Sequence, residues 1–324
     1  MKPLNASGLY REVDLSALTD TIPRRLASAK EDDMGALFIA VNSDTGFAVC
    51  PNGYSGINTW YDIPIQTSLQ HMTDLQIDTA HFNQTAGSKV LVLDGSNMER
   101  ITFDHSFANI QWSSKTFYSQ KFSSLGGGEI YTYSPGSTKV YDTDNTSVQL
   151  ATIPLNTYDL VPDPSGNLWS VSYGPLDQYD QIDIRKTSTT SASYTSYNLD
   201  FRLPPINDID SIPGSNLVAV GDDGIVLCIK NTTNSDTGVV IQAPTPNNLN
   251  AVNHAILLYT TGLKIVGDSG TYLTLKEVTL DPQFYPVSIN TQENLTDIAS
   301  AYSTSIISGQ KREYVESEFI RFDS

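Results

Sequence analysis

Charged residues are scarce in this sequence, and basic residues are the scarcest of them. Only 17% of the 324 residues are charged, and 19 Lys and Arg face 36 Asp and Glu, for a formal charge of −17. A net charge of this sign repels phosphate backbones and anionic lipid headgroups. We therefore expect neither a nucleic-acid partner nor a membrane-surface partner bound through a basic patch.

Long hydrophobic runs are also missing. No stretch approaches the roughly 18 apolar residues that span a bilayer, and residues 1–8 lack the apolar core of a secretory signal. We expect no membrane insertion. The surface residues must be largely uncharged and polar, which is typical of proteins exposed outside cells. A virion protein combines the missing signal with such a surface, because it folds in the host cytoplasm and later acts outside the cell. The alternative is a cytoplasmic protein.

Cysteine and histidine are too few to build a metal centre of the usual kind. Cys50 and Cys228 each lie in an apolar stretch, which favours buried, reduced thiols over a disulfide. The histidines are His71, His81, His105 and His254, and none of them form a His-x-x-x-His pair. We predict no metal site and no cofactor.

Helical periodicity is absent from the sequence, and residues 17–34 are the one plausible place for a short helix. Short runs of alternating or β-branched residues dominate instead, bounded by Gly, Asn, Asp, Ser or Pro. Such runs are 37–41, 90–93, 129–133, 217–220, 238–241 and 271–275. The chain is therefore predicted to be all-β.

Glycine-rich corners join several of these strands. Gly221–Gly224 and Gly267–Gly270 resemble one another, and residues 42–46 repeat as residues 234–238. Asp-Gly and Ser-Gly pairs supply the positive φ that the primed turns of β-hairpins require. These corners predict tight hairpins.

The spacing of the strands predicts a β-propeller. An Asp or Asn followed by Leu or Ile recurs from Asp14 to Asp297 at intervals of 35 to 60 residues, about 47 on average if residues 251–252 fill one position. Repeats of this length built from short strands indicate four-stranded blades. Seven blades are expected, with six or eight as alternatives. The predicted blades are 14–73 with an insertion, 74–108, 109–158, 159–207, 208–250, 251–296 and 297–324.

The last predicted blade is too short for four strands. Residues 298–324 have room for about three, and residues 8–13 form a suitable fourth strand at the other end of the chain. An unpaired strand edge exposes backbone donors and acceptors, which favours closing the ring. We predict that residues 8–13 pair with the last blade within a single domain, 1–324.

The C-terminal half, about 170 residues, resembles propellers of the bacterial neuraminidase-repeat type, including the photosystem II stability and assembly factor family. The resemblance rests on an Asp-Ile pair followed by a Val-Gly-x-x-Gly corner and a hydrophobic strand, as in residues 208–209 with 220–227, and again in 266–273. It implies the propeller fold. Function does not transfer with the fold.

Clusters of carboxylates and the arginines are the candidate catalytic or binding groups. Closely spaced Asp could ligate calcium, but turn formation explains them better; the groups are Asp142 with Asp144, Asp208 with Asp210, Asp222 with Asp223, and Asp177, Asp180 and Asp183. Sialidases resemble one another in carrying an arginine triad and a Tyr/Glu pair. None of the eight arginines of this sequence lies in such a motif: Arg11, Arg24, Arg25, Arg100, Arg185, Arg202, Arg312 and Arg321. No catalytic residue is assigned.

The sequence therefore predicts a protein that is not an enzyme. We expect a structural or adhesive propeller of a larger assembly, foremost a bacteriophage tail, baseplate or fibre-attachment protein. Its partners would be other structural proteins, copies of itself in a symmetric ring, and a carbohydrate or other cell-surface receptor. The alternatives are a sialidase-like carbohydrate-active enzyme and an assembly factor that docks a partner complex.

Overall fold

Short antiparallel strands make up most of the described structure. The computed structural model describes the strands along the whole chain and, between residues 204 and 294, part of their connections. Side chains are described for Val161, Trp169 and Val171 and for most residues of 204–309. The prediction of an all-β chain of antiparallel sheets is confirmed for these residues.

The described strands form seven four-stranded antiparallel sheets. The first strand, β1 (Tyr10–Val13), belongs to the last of them. Sheet 1 consists of β2 (Leu26–Lys30), β3 (Leu37–Asn42), β4 (Gly46–Cys50) and β5 (Tyr61–Pro64); sheet 2 of β6 (Asp74–Asn83), β7 (Gly87–Asp94), β8 (Asn97–Phe103) and β9 (Ile110–Thr116); sheet 3 of β10 (Phe122–Ser124), β11 (Glu129–Ser134), β12 (Ser137–Asp142) and β13 (Gln149–Ile153).

The remaining sheets repeat the same order of strands. Sheet 4 consists of β14 (Asp159–Pro162), β15 (Asn167–Tyr173), β16 (Ile182–Ser188) and β17 (Tyr194–Asn198); sheet 5 of β18 (Ile206–Ile212), β19 (Asn216–Gly221), β20 (Ile225–Thr232) and β21 (Ser235–Gln242); sheet 6 of β22 (Leu249–Ile256), β23 (Thr261–Gly267), β24 (Tyr272–Leu275) and β25 (Phe284–Pro286); sheet 7 of β26 (Leu295–Ala301), β27 (Thr304–Gly309), β28 (Glu313–Ser317) and β1.

Sheet 7 joins the two ends of the chain. Its strand β28 pairs with β27 on one side and with β1 on the other. The register places Arg11 opposite Val315 and Glu12 opposite Tyr314. A strand from the beginning of the chain thus covers an edge that β28 would otherwise expose.

One predicted helix and several predicted borders differ from the structure: β18, β22 and β26 each begin two residues before the predicted starts at 208, 251 and 297, and the border at residue 108 differs more. Part of residues 17–34 is strand β2, which pairs along its length with β3, so sheet pairing overrides the local helical tendency there. The other residues of that segment lie outside the described residues. Strand β9 pairs with β8, with Ile110 opposite Phe103, and sheet 2 therefore extends beyond residue 108.

Contacts divide the chain into two compact units. One comprises residues 1–65, 220–226 and 241–324, and the other residues 66–219 and 227–240. In the second unit β10 lies beside both β6 and β14, and in the first unit β26 lies beside β22 and β2. Within each unit the first strands of successive sheets are therefore neighbours.

An apolar cluster holds sheets 6 and 7 together. Ala251, Val266 and Tyr272 of sheet 6 pack with Ile298 and Ile307 of sheet 7, all at most 3% exposed. The residues alternate with those of the opposite face along each strand, as the period of a β-strand requires. This packing fixes the faces on which the remaining side chains of both sheets lie.

Candidate functional site

Two tight corners in the first unit share one backbone conformation. Corner 1 is Gly221–Gly224 and corner 2 is Gly267–Gly270. In corner 1 Asp223 has φ 55° and ψ 26°, and Gly224 has φ 71°. In corner 2 Ser269 and Gly270 have φ 55° and 71°. Two successive positive φ values are typical of a type I′ turn, so the predicted primed hairpin turns are confirmed here.

Each corner is bound by a segment that precedes the next sheet. Strap 1 is Thr245–Asn248 and strap 2 is Thr291–Asn294. The Asn248 Oδ1 accepts a hydrogen bond from the Asp223 N–H at 3.2 Å, and the Asn294 Oδ1 accepts one from the Ser269 N–H at 3.0 Å. The two straps therefore satisfy the same backbone donor in the two corners.

A threonine shapes each strap. The Thr245 Oγ1 accepts a hydrogen bond from the Asn247 N–H at 3.1 Å, and the Thr291 Oγ1 accepts one from the Glu293 N–H at 3.2 Å. A hydroxyl that binds the backbone two residues downstream stabilises a turn. The sequence signal, Thr-x-x-Asn-Leu, occurs at both straps and was missed in the sequence analysis.

The corners touch the straps so closely that their last residue must be glycine. A Cβ on Gly224 would lie 2.0 Å from the Thr245 carbonyl oxygen, and one on Gly270 would lie 2.1 Å from that of Thr291. Both positions also have positive φ, which side chains disfavour. Glycine here is required twice over, by the turn and by the contact.

Strap 1 also binds corner 2, so the two corners are connected. The Asp268 N–H donates to the Asn248 carbonyl at 2.9 Å. The Asn247 Nδ2 donates to the Asp268 carbonyl at 3.2 Å and to the Thr271 Oγ1 at 2.9 Å. The Asn250 Nδ2 donates to the Asp268 Oδ1 at 3.0 Å and to the Leu295 carbonyl at 2.8 Å.

We call the surface formed by residues 221–224, 242–248, 267–270 and 291–294 the corner edge. Its exposed side chains are Asp223, Gln242, Pro244, Pro246, Ser269 and Gln292. Asp222, Asp268 and Glu293 are partly exposed, and no Lys, Arg or His occurs in these stretches. The corner edge is therefore negatively charged and held by a network of backbone hydrogen bonds, which suits contact with a cationic group.

The predicted aspartate groups separate in the structure. Asp222 and Asp223 lie in the corner edge, whereas the Asp210 Oδ1 accepts a hydrogen bond from the Ser211 N–H at 2.7 Å within β18. Asp142 and Asp183 lie in β12 and β16, and residues 144, 177 and 180 lie outside the described residues. Among the described residues no group of three or more His, Cys, Asp or Glu could hold a metal ion.

Burial shifts the pKa values of two titratable groups, Cys228 and His254, in the direction that favours their neutral forms. Cys228 is a buried free thiol, as predicted, and burial raises its pKa to about 12, so the thiolate is negligible at neutral pH. Burial lowers the pKa of His254, which favours the neutral imidazole. Cys50 and His81 lie in strands whose side chains are not described, and His71 and His105 lie outside the described residues.

Three of the eight arginines lie in described strands. Arg11, Arg100 and Arg185 lie in β1, β8 and β16, in three different sheets. The other five lie outside the described residues.

A buried polar layer lies between sheets 6 and 7. It consists of Asn253, Lys264, Ser300 and Ser305, and the last three are at most 6% exposed. The Lys264 Nζ donates to the Ser305 Oγ at 2.7 Å, and the two serine hydroxyls are 2.8 Å apart. The sequence gives no signal for this layer, because lysine is almost never fully buried.

In the described part of the chain, no helix has the length and apolar character that a bilayer crossing requires.

No known protein family matches the chain, and no curated protein matches its sequence. Solved structures do match it. Virginiamycin B lyase from Staphylococcus aureus has a TM-score of 0.68 and 14% identity, covering 96% of this chain and 99% of the lyase. YCF48 bound to D1 peptide has a TM-score of 0.67 and 10% identity, with coverage of 96% and 97%. The WD40 repeats of RRP9 have a TM-score of 0.66 and 13% identity, with coverage of 97% and 98%.

These similar structures are β-propellers, and the likeness extends over nearly the whole of each chain. The chain therefore has a β-propeller fold, as its repeat spacing predicts. The matched proteins include a lyase and a protein with a peptide bound to it, so the fold leaves the function open.

Proposed function

We propose that the protein is a non-enzymatic docking module whose corner edge binds a basic segment of a partner protein. The observation that carries this proposal is the corner edge itself, where the exposed Asp223 and the partly exposed Asp222, Asp268 and Glu293 lie on a hydrogen-bonded frame that contains no basic residue. A frame that is ordered before binding reduces the entropy lost on association. Charge complementarity adds specificity and speeds encounter.

The propeller fold supports a role in docking. YCF48, one of the similar structures, has a peptide bound to it. An assembly factor that docks a partner complex, one of the alternatives raised by the sequence, fits this proposal. The more specific placement in a virion, as a tail, baseplate or fibre-attachment protein, follows from the sequence composition alone and stays a prediction.

We further propose that the chain forms a ring of seven blades closed by β1. The seven described sheets support this count, and the pairing of β1 with β28 supports the closure. The contact of β26 with β2 places the last sheet beside the first within one unit. A closed ring removes the exposed edges between sheets and holds the corner edge in place.

The docking proposal can be tested by selecting peptides from a random displayed library against the immobilised full chain. We expect the selected peptides to be rich in Lys and Arg and to bind less tightly as salt increases. Asp223→Asn, which preserves the positive φ, should weaken binding about 2–5-fold, as expected for one exposed charge. Ser269→Asp, which adds a charge at the equivalent position of corner 2, should strengthen it.

Glu316→Gln, in β28, is the matched control because it removes one negative charge outside the corner edge. Equal losses in Asp223→Asn and Glu316→Gln would contradict a specific site, as would selected peptides with no excess of basic residues. Turnover of fluorogenic glycosides by the purified chain would favour the carbohydrate-active alternative instead.

A further inference from the structure

The buried polar layer consists of two cross-strand pairs that face each other. Asn253 and Lys264 are opposite each other in sheet 6, and Ser300 and Ser305 are opposite each other in sheet 7. The Asn253 Oδ1 accepts a hydrogen bond from the Ser300 N–H at 2.9 Å, and the Lys264 Nζ donates to the Ser305 Oγ at 2.7 Å. Each residue of one pair is thus bonded to one residue of the other.

This layer continues the apolar cluster of the same two faces. Ala251 lies two residues before Asn253 in β22, and Val266 lies two residues after Lys264 in β23, on the face that packs against Ile298 and Ile307. Burying an ammonium group is costly unless it is well hydrogen-bonded, and apolar residues of similar size often serve stability equally well. Stability alone therefore does not explain a lysine that is 2% exposed.

The preceding repeat has apolar residues at the positions that matter. Val218 stands three residues before Gly221, as Lys264 stands three residues before Gly267. Leu263 stands four residues before Gly267, as Ser305 stands four residues before Gly309. Val218 and Leu263 are both buried. At these two repeat positions the preceding repeat therefore has apolar residues, Val218 and Leu263. At the junction of sheets 6 and 7 the equivalent residues, Lys264 and Ser305, are both polar.

We infer that the Lys264–Ser305 pair is a recognition device that directs sheet 7, and no other sheet, to dock on this face of sheet 6. Similar sheets present similar apolar faces, and in a repeat protein a sheet can dock on the wrong neighbour or on a second copy of the chain. An apolar face placed over Lys264 would bury its ammonium without the Ser305 acceptor, which is strongly unfavourable. Single buried polar residues set register and partner choice in this way in coiled coils.

The energetic part of the inference is tested by a double-mutant cycle in urea. Lys264→Val and Ser305→Leu introduce the residue types of the preceding repeat. We expect Ser305→Leu to lower the unfolding midpoint more than Lys264→Val, because it removes an acceptor from Nζ and adds bulk. The double variant should recover much of the loss, with a coupling on the order of 10-fold in the unfolding equilibrium constant. An additive cycle would overturn the inference.

The recognition part is tested by refolding each protein from urea and measuring the monomer yield by size-exclusion chromatography with light scattering. The double variant should give less monomer than the original protein and more dimer or higher oligomer. Ile307→Val is the matched control, because it weakens the same interface without touching the polar layer and should refold to monomer. A double variant that refolds to monomer as fully as the original would overturn the inference.

A variant that does not fold leaves the test intact. If Ser305→Leu yields no folded monomer, the cycle is measured with Lys264→Met and Ser305→Ala, which keep the interface filled without adding bulk. The same coupling and the same loss of monomer yield are expected for this pair. An additive cycle or a full monomer yield would overturn the inference here too.

Discussion

At the scale of the residue, the corners depend on two glycines more than on any charged group. Gly224 and Gly270 each combine a positive φ with a position directly against the carbonyl of a strap threonine. The first requirement excludes most side chains from the turn, and the second excludes even a methyl group. These two residues therefore determine whether a strap can close over its corner.

Gly224→Ala should lower the free energy of unfolding by about 2–4 kcal/mol, the sum of left-handed backbone strain and overpacking against the strap. Chemical denaturation followed by circular dichroism measures this change. Asp223→Asn is the matched variant at the preceding residue, and it should change stability by no more than about 0.5 kcal/mol because Asn tolerates positive φ. A Gly224→Ala protein as stable as the original would show that the strap does not lie against the corner.

At the scale of the element, corner and strap act as one unit, residues 221–248, which recurs 46 residues later as residues 267–294. Equivalent atoms make equivalent hydrogen bonds in the two copies: the Asp223 N–H of corner 1 donates to the Asn248 Oδ1, and the Ser269 N–H of corner 2 donates to the Asn294 Oδ1. The strands on either side of a corner, such as β19 and β20, carry buried apolar residues. The polar contacts are concentrated at the turns. Polar side chains in the straps therefore determine how adjacent hairpins meet.

Asn248→Ala should destabilise the protein by about 1 kcal/mol, because the Asp223 N–H loses its side-chain acceptor. Asn248→Asp keeps an acceptor at the same position, so its loss should be smaller when high salt screens the added charge. Urea unfolding of both variants at high salt measures the difference. Equal losses would mean that the amide of Asn248 does not hold the corner through Oδ1.

At the scale of the whole molecule, the repeat spacing was sufficient to predict the propeller, because strands of period 2 and glycine corners are local signals. The helix expected within residues 17–34 was wrong at β2, where pairing with β3 decides the structure. The polar layer was unpredictable for a related reason. The burial of Lys264 depends on Ser305, 41 residues away, and no local pattern reports such a contact.

The candidate site was only partly visible in the sequence. Gly221–Gly224 and Gly267–Gly270 were recognised as turns, and their positive φ values are confirmed. The straps were not predicted because Thr245 and Asn248 look like ordinary loop residues until the hydrogen bond between Asn248 and Asp223, 25 residues earlier, is known. The binding role of the corner edge rests on this tertiary arrangement.

The account depends most on the chain's beginning pairing with its end, because a closed ring is what would hold the docking surface in place. Hydrogen exchange of the backbone amides in Tyr10–Val13 tests this directly. The account predicts slow exchange at the amides bonded to β28, and faster exchange in Glu12→Pro, which removes one strand donor and strains the pairing. Exchange of Tyr10–Val13 at the rate of an unfolded peptide in the original protein would contradict it.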